Sequence, residues 1–179
     1  GYLFPRAHAV AYVMMAFRIA WFKVYQPLAY YAAYFTIRAE GSFNAPVILK
    51  GLESQKAELA RIAALEHSTA VEKGNATVIE VAAEMYLRGM EFLPIDLDRS
   101  DASEFKMVDG KLLPPFNCIP ALGDAVAKEI VRARDEHLFT SKEDLKKRGK
   151  VSQSIIDTMD SMGILKNMPD EEQISLFSF

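Results

Sequence analysis

Residues 115–134 form the one stretch whose residue order implies a specific chemistry, the binding of phosphate. An apolar lead enters a tight turn, Pro120-Ala121-Leu122-Gly123, and apolar residues then recur at helical spacing. This pattern predicts a helix-hairpin-helix. We expect Gly123 to adopt a backbone conformation that residues with a Cβ avoid, so that N–H groups at the start of the next helix face outward. Outward N–H groups at a helix start attract phosphate without reading bases.

Basic side chains around the turn would add charge contacts to a nucleic-acid backbone. The candidate DNA contacts are the turn residues Ala121, Leu122 and Gly123 and the cations Lys128, Arg132, Arg134, Lys147 and Lys150. Gly149-Lys150 is interpreted as a second, degenerate hairpin. It lies between a short basic helix that Ser141 caps and a helix that starts at Ser152.

The first turn departs from the usual pattern, because such hairpins carry a second glycine where this chain has Ala121. A methyl group there would hold a phosphate, or a bound monovalent ion, slightly further away. The helix that follows is expected to bury Ala125, Val126, Ile130 and Ala133. An ordinary helical hairpin that serves only for packing stays open as the alternative.

Composition indicates a folded chain with an uneven charge distribution. The chain has 179 residues, of which 50% are hydrophobic and 25% charged, and its net charge is −3. Residues 1–50 carry +4, 51–115 carry −5, 116–150 carry +2 and 151–179 carry −4. The two positive blocks are therefore the parts expected near DNA. The single cysteine, Cys118, excludes an internal disulfide and is expected to be a small core residue.

The N-terminal part is unusually apolar. Residues 8–25 and the run after Pro27 are interpreted as two buried, tightly packed helices broken at that proline. A membrane span is rejected because Arg18 and Lys23 interrupt the first run, and the uncharged stretch that follows is shorter than the roughly 20 residues a span requires. The chain begins as if it were cut from something larger, so we expect a fragment.

The sequence of the middle of the chain predicts two helices and a small β-hairpin. A surface helix is expected after Leu52, and a second helix is expected to begin at Thr77, with Glu80 in a capping box, and to end near Gly89. Short strands are expected at 95–97, 104–108 and 111–113, with Asp109-Gly110 as the turn between the last two. The aspartates at 96, 98 and 101 lack the glycine and glutamate of a calcium loop, so no metal site is predicted.

Several stretches together resemble the C-terminal part of PolC-type DNA polymerase III alpha subunits, the C-family replicative polymerases. They are FPRAHAVAYVMMAFRIAWFKVYQPLAYYAAYFTIRA, RSDASEF, LLPPFNCIPALG, AVAKEIVRAR and the terminal QISLF, and the resemblance covers essentially the whole chain. The related DnaE type, which continues into further domains, fits less well.

The resemblance implies roles for residues at both ends. Phe4 and His8 would wall the pocket of the nascent base pair, and Arg6 would approach the phosphates of the incoming nucleotide. From the residues alone, core packing is the favoured interpretation of Phe4, and a satisfied helix-start histidine that of His8. The sliding clamp would receive the motif Gln173, Ile174, Ser175, Leu176 and Phe177.

The resemblance also implies an organisation and an activity. The fold class is mainly α: the end of a fingers domain at 1–90, a helix-hairpin-helix duplex-binding domain with a small β-hairpin at 91–166, and a tail at 167–179. Partners would be primer-template duplex, incoming dNTP, the sliding clamp and the rest of the polymerase chain in the cytoplasm. The Mg²⁺ ions of nucleotidyl transfer would lie in a palm domain that is absent here, so the fragment should bind without polymerising. The alternative is a non-enzymatic DNA-binding adaptor that recruits a clamp.

Overall fold

The computed structural model describes residues 5–38 and 41–171, which are mainly helical. The elements follow in the order α1 Arg6–Tyr25, α2 Pro27–Arg38, α3 Ala45–Ile48, α4 Leu52–Ala63, α5 Ala70–Leu87, β1 Lys106–Val108, β2 Lys111–Leu113, α6 Asp124–Glu136, α7 Lys142–Arg148 and α8 Gln153–Ser161. A short 3-10 helix, Phe116–Cys118, precedes α6. The predicted fold class, mainly α with one small β-hairpin, is confirmed.

The β-hairpin forms where the sequence predicts it. β1 and β2 pair antiparallel with Val108 opposite Lys111, and Asp109 (φ 51°) and Gly110 (φ 75°) form the turn between them. Two consecutive positive φ angles are typical of the tight turn whose twist matches that of the strands. The strand predicted at 95–97 is wrong. That segment is irregular, and Phe92 instead makes a parallel bridge with Leu112.

Helix α5 begins seven residues earlier than the sequence analysis predicted. Thr69 is its N-cap, and Thr69 and Glu72 form a complete capping box, so the box predicted at Thr77 and Glu80 is wrong. Gly74 lies inside this helix. A Cβ on Gly74 would lie 3.3 Å from the Ser42 hydroxyl, so a close approach of the chain favours glycine at this position. The predicted end near Gly89 is confirmed.

Helices α1 and α2 meet at Gln26, as the proline predicted, but only α2 is buried. Tyr31 and Phe35 of α2 lie in the core. The prediction that α1 is a buried helix is wrong for the described chain, because none of its residues is buried. By length and composition, α1 is also the one helix among the described residues that could cross a membrane.

One continuous core joins the N-terminal helices to the hairpin region. The ring of Phe35 lies 5.2 Å from that of Phe92 and 5.5 Å from that of Phe105, and Phe43 contacts both of these rings. The same cluster continues through the residues that α6, α7 and α8 bury. The functional division proposed at residue 90 stays a prediction, and the core runs across it.

Candidate nucleic-acid interface

The first hairpin is a compact turn that leads directly into α6. Its closing hydrogen bond runs from the Leu122 N–H to the Ile119 carbonyl at 3.1 Å. Ala121 is exposed and takes a left-handed conformation (φ 65°), whereas Leu122 turns inward and is buried. Gly123 is the N-cap of α6 and has an extended conformation (φ −79°, ψ 160°).

The second hairpin repeats this backbone sequence between α7 and α8. Lys150 is left-handed (φ 53°), Val151 is buried, and Ser152 is an extended N-cap (φ −71°, ψ 157°). Residue for residue, Lys150, Val151 and Ser152 correspond to Ala121, Leu122 and Gly123. The paired helix-hairpin-helix that the sequence indicated is therefore present in the backbone.

The reason given for Gly123 in the sequence analysis is wrong. Its φ is one that any residue adopts, and a Cβ added there would meet nothing within 4 Å. The residue in the left-handed region is Ala121, the position at which such hairpins usually carry glycine. For an L-residue this conformation costs roughly 1–2 kcal/mol, so each hairpin holds a strained residue at its tip.

The helices after the two hairpins begin without a side-chain cap. Neither N-cap residue, Gly123 for α6 or Ser152 for α8, has a side chain that accepts a hydrogen bond from a backbone N–H of the first turn. By contrast, Thr69 caps α5 and Ser141 caps α7, as predicted for the latter. Uncapped N–H groups carry partial positive charge and accept an anion such as phosphate. The starts of α6 and α8 thus lack a side-chain cap, as do those of α1, α3 and α4, whereas the starts of α5 and α7 are capped.

Packing fixes the second hairpin against α6. A Cβ on Gly149 would lie 2.7 Å from the Leu145 carbonyl oxygen and 3.3 Å from Ile130 of α6, so glycine is needed for this close approach. Arg148 stands beside it and ties α7 to the end of α6: its guanidinium donates to the carbonyls of Ala133 and His137 and pairs with Asp144. Sequence reasoning missed Arg148, whose only signal was its place in a basic run.

The inward face of α6 differs slightly from the prediction. Ile130 and Ala133 are buried as expected, but the third buried residue is Ala127, while Ala125 is exposed. Because the buried positions are three apart, the opposite face carries the charged residues. That face holds Lys128, Glu129 and Arg132.

The predicted cations lie in different electrostatic surroundings. Lys128 and Lys147 are exposed, and the described residues form no ion pair with either. Lys150 is 72% exposed but pairs with Glu129 at 2.9 Å, which links the second hairpin to α6. Arg132 is held by both carboxylate oxygens of Glu129, at 2.8 and 3.0 Å, and also pairs with Glu136.

Glu129 is the centre of this network. Its hydrogen bonds from Arg132 and then Lys150 lower its pKa to about 2, so it stays charged over the whole physiological range. Two of the predicted DNA-binding cations are therefore already compensated by one carboxylate.

Arg134 does not belong to the exposed set. Its side chain is only 9% exposed, and its guanidinium donates to the Ser100 carbonyl at 2.5 Å and pairs with Asp135. Its contact with DNA stays a prediction, and in this structure its guanidinium holds α6 to the loop before β1.

A cavity of about 280 Å³ opens beside the first hairpin. Pro120 and Ala121 form one wall, and small polar side chains, among them Asn44, Asn75 and Asn117, form much of the rest. Cys118 also borders it, but burial raises the pKa of this thiol, which is consistent with the predicted core residue.

The acidic loop after α5 is organised by hydrogen bonds to the backbone. Asp96 accepts from the N–H groups of Asp98 and Arg99, and Asp101 accepts from those of Ser103 and Glu104. Among the described residues no group of three or more His, Cys, Asp or Glu side chains could hold a metal ion.

The other predicted site residues lie near the chain ends. Arg6 and His8 are exposed in the first turn of α1, and the His8 ring lies edge-on to Tyr12 with 4.5 Å between centroids. Phe4 and the motif at 173–177 lie outside the described residues. The roles predicted for these positions stay predictions.

Two like hairpins, each opening the uncapped start of a helix, define the chain's C-terminal half as a helix-hairpin-helix module. A family model described as a helix-hairpin-helix motif matches residues 89–174. Almost the whole chain is also similar to curated proteins named DNA polymerase III PolC-type, and the chain is homologous to a segment of that family.

Three of these relatives show the extent of the similarity. Identity is 51% over 176 residues with the protein of Thermotoga maritima, 48% over 177 with that of Clostridium perfringens and 51% over 179 with that of Listeria monocytogenes. In each case 98% of this chain is covered but only 12–13% of the relative. The chain thus spans about an eighth of the length of the curated relatives it matches.

Proposed function

We propose that this chain is the duplex-binding part, with the adjoining fingers helices, of a bacterial replicative DNA polymerase of the PolC type. The observation that carries the proposal is the pair of open helix starts, at Gly123 and Ser152, in a chain about half identical to PolC-type polymerases. A copying enzyme has to hold every sequence equally well, and N–H groups on phosphate provide that grip.

The proposed duplex surface consists of the two hairpins and the cations beside them. Ala121, Leu122 and Gly123 present the first turn, and Lys150 lies at the tip of the second. Lys128 and Lys147 supply charge that no described carboxylate compensates, whereas Arg132 and Lys150 must exchange Glu129 for phosphate. Each newly formed phosphate contact displaces a counterion, which makes binding salt-dependent.

Activity and further partners belong to the longer polymerase. We propose that DNA-templated synthesis takes place in the cytoplasm with Mg²⁺ held in the palm domain, and that this fragment alone is inactive. Phe4, Arg6 and His8 would border the nascent base pair and the incoming dNTP. The motif at 173–177 would dock on the sliding clamp, with Leu176 and Phe177 as apolar anchors.

The exposed helix α1 supports the proposal that a larger chain surrounds this one. Its exposed side chains include Tyr12, Phe17, Trp21, Phe22 and Tyr25, each at least half accessible. Exposed apolar surface of this extent marks an interaction face. Neighbouring parts of the polymerase would cover it, since the matched relatives are about eight times longer than this chain.

A substitution at Gly123 tests the grip without disturbing the fold. Because a Cβ there has open space and φ is −79°, Gly123→Asp should fold normally, and a negative charge is favourable at a helix start. Its carboxylate would then lie beside the N–H groups proposed for phosphate and repel the phosphate. We expect the variant to be as stable as the parent or slightly more stable, and to bind a blunt DNA duplex more weakly.

The measurement is fluorescence anisotropy with duplexes of two unrelated sequences across a salt series, together with urea unfolding. Lys56→Ala, on α4, is the matched surface control and should bind like the parent. Equal affinity for both sequences and a steep fall with salt support the proposal. Unchanged affinity in Gly123→Asp, or no binding at low salt, would make the hairpins packing devices.

A further inference from the structure

The last described segment of the chain is fastened onto the start of α7. The Lys142 N–H donates to the Pro169 carbonyl at 2.9 Å, and the Glu143 N–H donates to the Asp170 carbonyl at 3.0 Å. These are the first two N–H groups of the helix, and the Ser141 hydroxyl accepts from the third, at Asp144. The start of α7 is therefore closed by the chain itself, unlike those of α6 and α8.

The Lys142 side chain strengthens this attachment. Its ammonium lies 3.2 Å from a carboxylate oxygen of Asp160, on α8, and 3.0 Å from one of Asp170. The side chain is 21% exposed, so the stem packs against protein while the charge bridges two carboxylates. These hydrogen bonds raise the pKa of Lys142, Asp170 contributing most. One residue thus joins α7, α8 and the segment that leads to the C-terminus.

The attachment sets how far the C-terminal motif can reach. Gln173 follows Asp170 by three residues, and an extended chain spans at most about 3.5 Å per residue, which gives about 10 Å. The preceding contact with the core is Met168, a partly buried side chain five residues before Gln173. If the attachment at α7 opened, the reach would increase to about 18 Å.

We propose that Lys142 is a positioning residue that keeps the linker between the hairpin module and the clamp-binding motif short. This linker, from Asp170 to Gln173, is called the leash below. This inference rests on the proposed function for the identity of the docked partner, but the attachment itself does not depend on it. A short leash holds a clamp that encircles duplex close to the hairpins that grip the same duplex. Binding of one partner then raises the effective concentration of the other.

Lys142→Met tests the attachment, because it keeps the apolar stem and removes the charge. Lys142→Arg is the rescue variant, and Lys166→Met, an exposed lysine in the same segment without an ion pair among the described residues, is the matched control. The readout is amide hydrogen exchange at Lys142 and Glu143. We expect faster exchange in Lys142→Met only, with restored protection in Lys142→Arg. Unchanged exchange in Lys142→Met would overturn the proposal whatever the chain binds.

The second readout is the coupling of the two partners. Binding is measured to free clamp, to free duplex and to clamp loaded on duplex. Because effective concentration falls as about the −3/2 power of leash length, extending three residues to five should lower the affinity for the loaded clamp about twofold. Binding to each partner alone should not change.

Each outcome separates the leash from the proposed function. Equal affinity of Lys142→Met and parent for the loaded clamp, with faster exchange, would overturn the leash as a coupling device. If the parent bound neither free partner, the proposed function would fail, while the exchange experiment would still decide whether Lys142 holds the segment in place.

Discussion

The two hairpins adopt the same backbone conformation but differ in the position and pairing of their basic side chains. The first places neutral Ala121 at its left-handed tip and has Lys128, without an ion pair among the described residues, one turn into its helix. The second places Lys150 at the tip and binds it to Glu129 of the first hairpin's helix. The two hairpins thus have the same backbone geometry, whereas the placement of charged side chains differs between them.

The comparison also shows that the hairpins are not independent. Glu129 and Arg148 both connect the second hairpin or its preceding helix to α6, one through a lysine and the other through backbone carbonyls. Gly149 permits the close contact between these parts. The proposed duplex surface requires a fixed separation between the two hairpins, and these contacts supply it.

The largest expected effect on stability comes from truncating the buried side chain of each hairpin. Leu122→Ala should lower the free energy of unfolding by about 2–5 kcal/mol, and Val151→Ala by less, because one fewer carbon is removed from a site of similar burial. Urea unfolding monitored by far-UV circular dichroism measures both. A loss below about 1 kcal/mol for Leu122→Ala would show that the first turn is not anchored by this side chain.

Charge removal should distinguish the two hairpins in DNA binding. Lys128→Ala should reduce affinity about eightfold at 0.1 M salt and reduce the salt slope by about 0.9, the effect of one phosphate contact. Lys150→Ala should cost less, because that cation is already paired with Glu129. The order is checked by anisotropy titrations at several salt concentrations. Equal losses for the two variants would contradict the difference in charge supply.

Glycine at the tips should relieve strain. Ala121→Gly should raise the free energy of unfolding by about 0.5–1 kcal/mol, because the left-handed conformation costs alanine more than glycine loses in chain entropy. Lys150→Gly should gain less, since it also loses its ion pair. Thermal unfolding of both variants is the measurement. A destabilised Ala121→Gly would mean that the methyl group packs rather than strains.

The smallest expected effect is a pH dependence from Glu129. Its pKa is about 2 in the folded chain, below the roughly 4.3 of an unfolded glutamate. Its contribution to stability is therefore complete above about pH 4.3 and is lost as the pH falls towards 2, where the folded state must take up the proton. Urea unfolding of the parent and Glu129→Gln between pH 6 and 2.5 should show the two curves converging at low pH. Parallel curves would exclude a special role for this carboxylate.

Much of this arrangement could be read from local sequence signals. Ser141, the Asp109-Gly110 turn and the helix starts after each hairpin were found because capping and turn chemistry act over three or four residues. The same signals failed where two sites competed, because Thr69 with Glu72 and Thr77 with Glu80 have equal spacing. The local sequence also does not show that Ser42 lies close to Gly74, where a Cβ would be crowded.

Features that depend on distant partners could not be predicted. The sequence does not show that Arg134 folds back onto Ser100 or that Glu129 receives Lys150 from 21 positions away. Nor could the tip conformation be assigned, because glycine at 123 was the obvious candidate and alanine at 121 carries the strain instead. The apolar run of α1 indicated burial, but within the described chain its side chains face outward.

The aromatic cluster around Phe35 has a mechanical consequence. Its rings come from α2, from the turn before α3 and from the segment between α5 and β1, and they lie at centroid distances of 5.0–6.0 Å. Close-packed interiors transmit displacement rather than absorb it. A displacement of the hairpin module would therefore be transmitted through these rings to α2, so that α2 and the hairpins would move together.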